Sequence, residues 1–211
     1  MAGNVFIFGA SGHAKVVIDI LERMNGMKVA FVVDDAVSTH GGSIRGYSII
    51  GGRDALLANR RKVTKGGIVA IGDNGARARV AEWLAEQGFR AATALHPVAA
   101  IARGVEIGAG TAVMAGAVIN SEAQIGSHVI VNTGATIDHD CTIGDCVHIA
   151  PGCNLCGGVS VGAGAMLGVG TKVIPGIRIG VNAIIGAGST VLEDVPDGAR
   201  MAGSPCRPAG S

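Results

Sequence analysis

Asp138, His139 and Asp140 stand together in Val131-Asn-Thr-Gly-Ala-Thr-Ile-Asp-His-Asp-Cys141, a polar cluster in surroundings that are otherwise apolar or glycine. Histidine titrates closest to neutrality, and an adjoining carboxylate can hold its ring. Such a pair suits proton removal from an amine or a hydroxyl during group transfer. His148 follows nine residues later. A lone histidine in a turn is ordinarily only solvated, so the carboxylate beside His139 is what sets it apart. The five cysteines, Cys141, Cys146, Cys153, Cys156 and Cys206, offer a second chemistry. Cys153-x-x-Cys156 invites a zinc or redox reading, yet no second CxxC pair accompanies it. An acyl-cysteine route would need a thiol activated by a base. An odd cysteine count points to reduced thiols, and no metal is expected.

A third group of residues lies near the start. Val5 to Phe8 form an apolar run, followed by Gly9-Ala-Ser11-Gly12-His13-Ala-Lys15, after which Val16, Val17, Ile20 and Leu21 recur at helical spacing. That order reads as strand, glycine-rich turn and helix. Val29 to Val33 predict a second strand ending in Asp34-Asp35. Ile68 to Ile71 predict a third, ending at Gly72-Asp73-Asn74, with its helix over Ala76 to Gln87. Parallel strands joined by helices bind ligands at their carboxyl ends, with phosphates facing the N–H groups of a helix start. The turn departs from the dinucleotide fingerprint, because Lys15 stands where the next glycine is expected. The expectation is therefore a site for a nucleotide diphosphate carrying another group, built from Ser11, Gly12, His13, Asp34, Asp35 and Gly72.

What positions His139 is a repeat of six. An aliphatic residue recurs at every sixth position from Ile101 through Ile107, Val113, Ile119, Ile125, Val131, Ile137, Ile143 and Ile149. Leu155, Val161, Leu167, Val173, Ile179, Ile185 and Val191 continue it without a skip, giving sixteen hexads. The fifth member is mostly small or β-branched, as at Thr111, Ala117, Ala135, Cys141, Ala165, Ala183 and Ser189. This is the pattern of a parallel β-helix with about three hexads per coil and about five coils in all. Large first and small fifth residues point inward. Cys141 and Cys153 take the fifth position, where a cysteine serves as a compact apolar filler. His139 and Asp140 fall third and fourth, where a turn begins. His148 is half a coil from His139, which sets the two on different sides of one prism and favours sites between neighbouring prisms.

Length and composition bound the rest. A chain of 211 residues accommodates two domains, here residues 1–95, a Rossmann-like α/β domain, and residues 96–211, an all-β domain with a C-terminal tail. Net charge is +1 and there are six aromatic residues, so nothing favours nucleic acid. Glycine, at 35 of 211, falls in phase with the hexads. No long apolar run suggests membrane insertion and Met1 to Gly12 lacks the basic start of a secretion signal, so the expected location is cytoplasmic.

Hexads of the Ile107-Gly-Ala-Gly-Thr-Ala form resemble those of the left-handed β-helix acyltransferases, usually trimeric enzymes that use acetyl-CoA or related donors; the left-handed turn is implied by that resemblance. The Gly9-x-Ser11-Gly12-His13 turn, Asp34-Asp35, Gly72-Asp-Asn, His139-Asp140 and the ending Met201-Ala-Gly-Ser-Pro-Cys-Arg207-Pro resemble the sialic-acid O-acetyltransferase and bacterial aminosugar N-acetyltransferase family over nearly the whole chain. Within it, the likeness is to bacillosamine-pathway and perosamine 4-N-acetyltransferases, which modify nucleotide-linked 4-amino-dideoxy sugars. The resemblance implies that His139 is the general base and Asp140 the carboxylate that supports it. It implies further that His148, Val169 and Ala187 contact acetyl-CoA, and that Ser11, Gly12, His13, Asp34, Asp35 and Gly72 bind the nucleotide sugar. Some relatives carry Glu where Asp140 stands. A homotrimer, and a product destined for a surface glycan or glycoprotein, are implied as well. Three other readings stay open: a sugar O-acetyltransferase of the sialic-acid type, a non-catalytic sugar-nucleotide-binding scaffold, and a metal-dependent hydratase prism. The last would need three converging histidines.

Overall fold

The computed structural model describes residues 3–64 and 66–209, and the chain divides into two compact units between Pro97 and Val98. In the first, strand β1 (Gly3–Phe8) is central, with β2 (Met27–Val33) and the strand Gly66–Val69 parallel on either side of it. Helix α1 (Gly12–Arg23) connects β1 to β2 and buries Ala14, Val17, Ile18, Ile20 and Leu21; of the four residues whose spacing predicts it, Val17, Ile20 and Leu21 face the core, whereas Val16 is exposed. Phe6, Phe8, Phe31 and Val69 from the sheet pack with Leu56, Val80 and Leu84 into one core. The helix after the third strand runs Asn74–Glu86, two residues earlier than its apolar spacing suggests. Asp73 is the reason, because its carboxylate accepts the Ala76 N–H at 2.7 Å and starts the helix there. A hairpin of Ser43–Ile44 with Tyr47–Ser48 and a short helix at Arg53–Ala58 fill the segment between, for which the sequence offers no periodic signal.

The second unit is a left-handed parallel β-helix following an α/β domain, as the hexads and the resemblance together implied. Sixteen strands of two residues, from Ala100–Ile101 to Thr190–Val191, pair in parallel with the strand eighteen residues away, as Thr136–Ile137 does with Val118–Ile119 below and Asn154–Leu155 above. Each coil thus has three faces. The first hexad position is buried from Ile119 onward, while Ile101 at the open lower end is 36 % exposed because no coil lies beneath it. Ala117, Ala135, Cys141, Ala165 and Ala183 in the fifth position are fully buried. The polar residues there are satisfied as burial requires: Thr111 donates to Gly126 O at 2.8 Å and Ser189 to Gly186 O at 2.7 Å.

At the corners from Gly104 to Gly188 the fourth hexad residue takes a left-handed backbone conformation. On the corner that carries His139 these are Gly104, Glu122, Asp140, Gly158 and Gly176, with φ of 77°, 61°, 60°, 69° and 74°. Aspartate tolerates that region better than most non-glycine residues, so Asp140 can stand there and offer a carboxylate. The tail closes the far end, with Arg200–Ala202 parallel to the last strand of its face and Arg207–Pro208 antiparallel to it.

Candidate active site

On the β-helix the site is built at the turn between Thr136–Ile137 and Thr142–Ile143. His139 Nδ1–H donates to Asp140 Oδ2 at 2.7 Å, a short, charge-assisted bond between adjacent residues. Asp140 can reach because the left-handed turn points it back over the ring. With Nδ1 so engaged, Nε2 is the nitrogen free to take a proton, and the side chain is 62 % exposed. Asp140 and, after it, the charge of Asp138 push the pKa of His139 above the usual histidine value. One coil above, Gly157 leaves the ring its space: a Cβ there would stand 2.6 Å from Cε1 and 2.7 Å from Nε2 of His139. Replacing Gly157 by alanine is therefore expected to displace the imidazole and, with His139 as the proton acceptor, to lower kcat about tenfold or more, since small misplacements of a reacting group are costly. The circular-dichroism spectrum should be unchanged, because the backbone of Gly157 is not in the left-handed region. Unaltered kcat in that variant would remove Gly157 from the site.

His148 opens the strand His148–Ile149 on a different face, stacked between Ile130 below and Met166 above. Asn132 Nδ2–H donates to its Nε2 at 3.2 Å, and the Asn132 Oδ1 accepts the Thr133 N–H at 2.8 Å. Val169 and Ala187 occupy one corner column a coil apart, joined by Gly188 N–H to Val169 O at 2.7 Å, and both are exposed. His148 lies on the face that runs into this corner. The β-helix thus brings His148, Val169 and Ala187 to one side and leaves His139 with Asp140 at a different corner.

The two cysteines at the inward hexad position are not poised for covalent chemistry. Cys141 and Cys153 are fully buried, and burial pushes both thiols above their ordinary pKa. Cys141 Sγ donates to Cys156 O at 3.2 Å. Among the described residues, no group of three or more His, Cys, Asp and Glu side chains could hold a metal ion.

In the α/β unit, Asp34 ties two loops together: Oδ2 accepts the Ala10 N–H at 2.7 Å and Oδ1 the Ala36 N–H at 2.8 Å. The glycine-rich turn therefore hangs on the end of β2. Gly9 within it has φ of +112°, and a Cβ there would meet Ala70 O at 2.8 Å, so no other residue fits between the strands. Ser11 takes the cap position of α1 without a capping bond, is exposed, and is followed by Gly12 and the half-buried His13. No acidic side chain lies in the first turn of α1, which leaves its positive end open to an anion. Gly72 accepts from the buried Arg77, whose guanidinium also reaches Ile71 O at 3.0 Å and Asn74 Oδ1 at 2.7 Å and so fixes that loop. A cavity of about 300 Å³ opens between the strand ends, lined by Phe8, Asp34, Asp35, Arg53, Ile71 and Arg79 among others.

Arg53, Arg77 and Arg79 were not legible as site residues. Arg53 pairs with Asp35 at 3.1 Å and lies 4.6 Å from the Trp83 ring centroid. It opens the short helix Arg53–Ala58, which no spacing marks. Arg77 stands on the buried stripe of the helix Asn74–Glu86 with Val80, Ala81 and Leu84, and a charge at that spacing is the signal the sequence carries for it.

A β-helix of hexads with a carboxylate-held histidine on one corner defines the class, a hexapeptide-repeat acyltransferase. Residues 4–84 match the PglD N-terminal domain family. The chain is 42% identical to PerB from Caulobacter crescentus, solved in complex with CoA and GDP-perosamine, covering 100% of this chain and 99% of that one with a TM-score of 0.93. It is 33% identical to the acetyltransferase domain of PglB from Neisseria gonorrhoeae FA1090 in complex with acetyl coenzyme A, over 99% and 100% of the two chains, with a TM-score of 0.89. A match to UDP-N-acetylbacillosamine N-acetyltransferase of Bacillus subtilis (strain 168) has 40% identity over 113 residues, 53% of this chain and 51% of that protein. The chain belongs to this family of β-helix aminosugar N-acetyltransferases. Among the described residues, no helix is long and apolar enough to cross a membrane.

Proposed function

We propose that the protein transfers the acetyl group of acetyl-CoA to the 4-amino group of a nucleotide-linked 4-amino-4,6-dideoxy sugar. The observation that carries this reading is the His139–Asp140 pair at 2.7 Å, standing exposed on a β-helix corner. Further support comes from a histidine-to-asparagine variant of perosamine N-acetyltransferase from Caulobacter crescentus, solved with CoA and GDP-perosamine and 41% identical to this chain. In that reaction the sugar amine must be neutral to attack. His139 Nε2 takes a proton from the amine as its nitrogen bonds to the thioester carbon. The carbon–sulfur bond then breaks, and the proton on Nε2 returns to the CoA thiolate. Asp140 stabilises the imidazolium formed midway and keeps Nε2 turned outward. Nothing is asked of Cys141, whose thiol is buried and poorly ionised.

Ser11, Gly12, His13, Asp34, Asp35 and Gly72 would hold the nucleotide sugar. The start of α1 would receive its phosphates, and the cavity beside Asp35 and Arg53 the nucleoside. His148, Val169 and Ala187 would form the acetyl-CoA wall, in which exposed, small or apolar side chains suit a pantetheine arm. Because that wall and His139 lie on different sides of one β-helix, a complete site needs a second chain, and a homotrimer supplies one site at each junction. Sedimentation at the mass of three chains is the expected result. An active monomer would rule the shared site out. The cytoplasm, where acetyl-CoA and nucleotide sugars are made, is the location this reaction calls for.

The reaction is tested by following thiol release from acetyl-CoA with a panel of UDP-, dTDP- and GDP-linked 4-amino-6-deoxy sugars. Release with one of them, and a product acetylated on nitrogen, is expected. Silence on the whole panel together with activity on free sialic acids would move the reading to O-acetylation.

A further inference from the structure

We propose that Asn120 and Asp138 are positioning residues for His139: the Asn120 amide anchors the Asp138 carboxylate, which pins the His139 backbone and stands as a second negative group beside its ring. The inference rests on His139 acting as the base. Asp138 Oδ1 accepts from Asn120 Nδ2, one coil below, at 2.8 Å and from the His139 N–H at 2.8 Å. The carboxylate is therefore fixed from two directions, by the neighbouring coil and by the turn that carries the histidine.

The pair is local to this coil. The same column on this face reads Ala102, Asn120, Asp138, Cys156, Ile174 and Leu192, so a polar rung occurs beside His139 and the other coils stack there without one. A ladder serving only the solenoid would have reason to repeat along the column. The coil above the ring contributes Gly157 and Gly158, which carry no charge, and the Glu122 carboxylate below is turned down against Gly104. Among the described residues, the charges that act on His139 are thus those of Asp140, on its Nδ1, and of Asp138, on its backbone N–H. Asp138 stays ionised wherever histidine titrates, because the Asn120 hydrogen bond, and then that of the His139 N–H, hold its carboxyl below the usual range.

The arrangement divides the work on one imidazole. Asp140 takes Nδ1 and sets which nitrogen is basic. Asp138 sets the backbone from which the ring projects, and its charge favours the imidazolium without occupying a nitrogen.

The test uses the full chain with Asp138→Asn, which keeps the shape and the oxygen acceptor, and Asn120→Ala, which removes only the anchor. Histidine C–H proton resonances are titrated in the ligand-free protein, with His139 identified by the signal missing from His139→Asn, and kcat and KM are measured across pH. In Asp138→Asn the His139 titration should move to lower pH and the acid limb of kcat/KM should follow it, with KM for the sugar nucleotide within about twofold. In Asn120→Ala, kcat should fall about threefold to tenfold with KM again held, the mark of a displaced catalytic group. An unmoved His139 titration in Asp138→Asn, with wild-type kcat in both variants, would overturn the proposal. If the titration moves while the rate profile does not, Asp138 still acts on His139, and the assignment of His139 as the base fails instead.

Discussion

His139→Ala is expected to lower kcat by about 10²-fold or more while leaving KM for the sugar nucleotide nearly unchanged. The alanine removes the proton acceptor and none of the residues proposed to hold the nucleotide, so loss of rate without loss of binding is the signature of a base. His139→Asn separates shape from basicity, since the amide fills much of the same volume but cannot take a proton. It should be about as slow. The pH profile carries the same assignment. The base works only when Nε2 is unprotonated, so kcat/KM must fall as pH drops through the pKa of His139. Since Asp140 and Asp138 hold that pKa up, the fall should be centred above the ordinary histidine value, and it should vanish in His139→Ala. Full turnover in either variant would end the assignment.

Asp34→Ala should act on binding instead. Both carboxylate oxygens accept backbone N–H groups, Ala10 from the glycine-rich turn and Ala36 from the loop after β2. Removing them leaves two donors unpaired, at about 1–3 kcal/mol each where water cannot replace the carboxylate. The turn that presents Ser11, Gly12 and His13 then loses its tether. The expected result is a rise of about 10- to 100-fold in the calorimetric Kd for the sugar nucleotide, with kcat at saturation within about threefold, since His139 lies on the β-helix. Thermal stability should fall as well. An unchanged Kd would show that the tether is structural only, and a collapse of kcat at saturation would show that Asp34 touches the chemistry.

Much of this molecule was legible from spacing. A period of six admits one architecture, because only a β-helix returns an aliphatic side chain inward at every sixth residue, and sixteen unbroken repeats leave no room for another fold. The same period fixed the phases of Cys141 and His139, and so sent the thiol inward and the imidazole to a turn. Strand, glycine turn and helix at Val5 to Leu21 followed equally from local rules, as did the carboxylates at the end of β2.

Tertiary structure decided what those groups do to one another. The sequence puts Asp140 next to His139, but the left-handed turn brings Oδ2 onto Nδ1 and so leaves Nε2 as the basic nitrogen. Gly157 and Asn120 are eighteen and nineteen residues from His139 and carry no motif; they matter because coils stack, so residues a full coil apart become neighbours. In the α/β unit, Arg53 meets Asp35 and Trp83 across the sheet end through a segment with neither helical nor strand period. Hydrophobic periodicity records which side of an element faces the core. The partners of an exposed polar side chain depend on how separate elements are brought together, and only the folded chain fixes that.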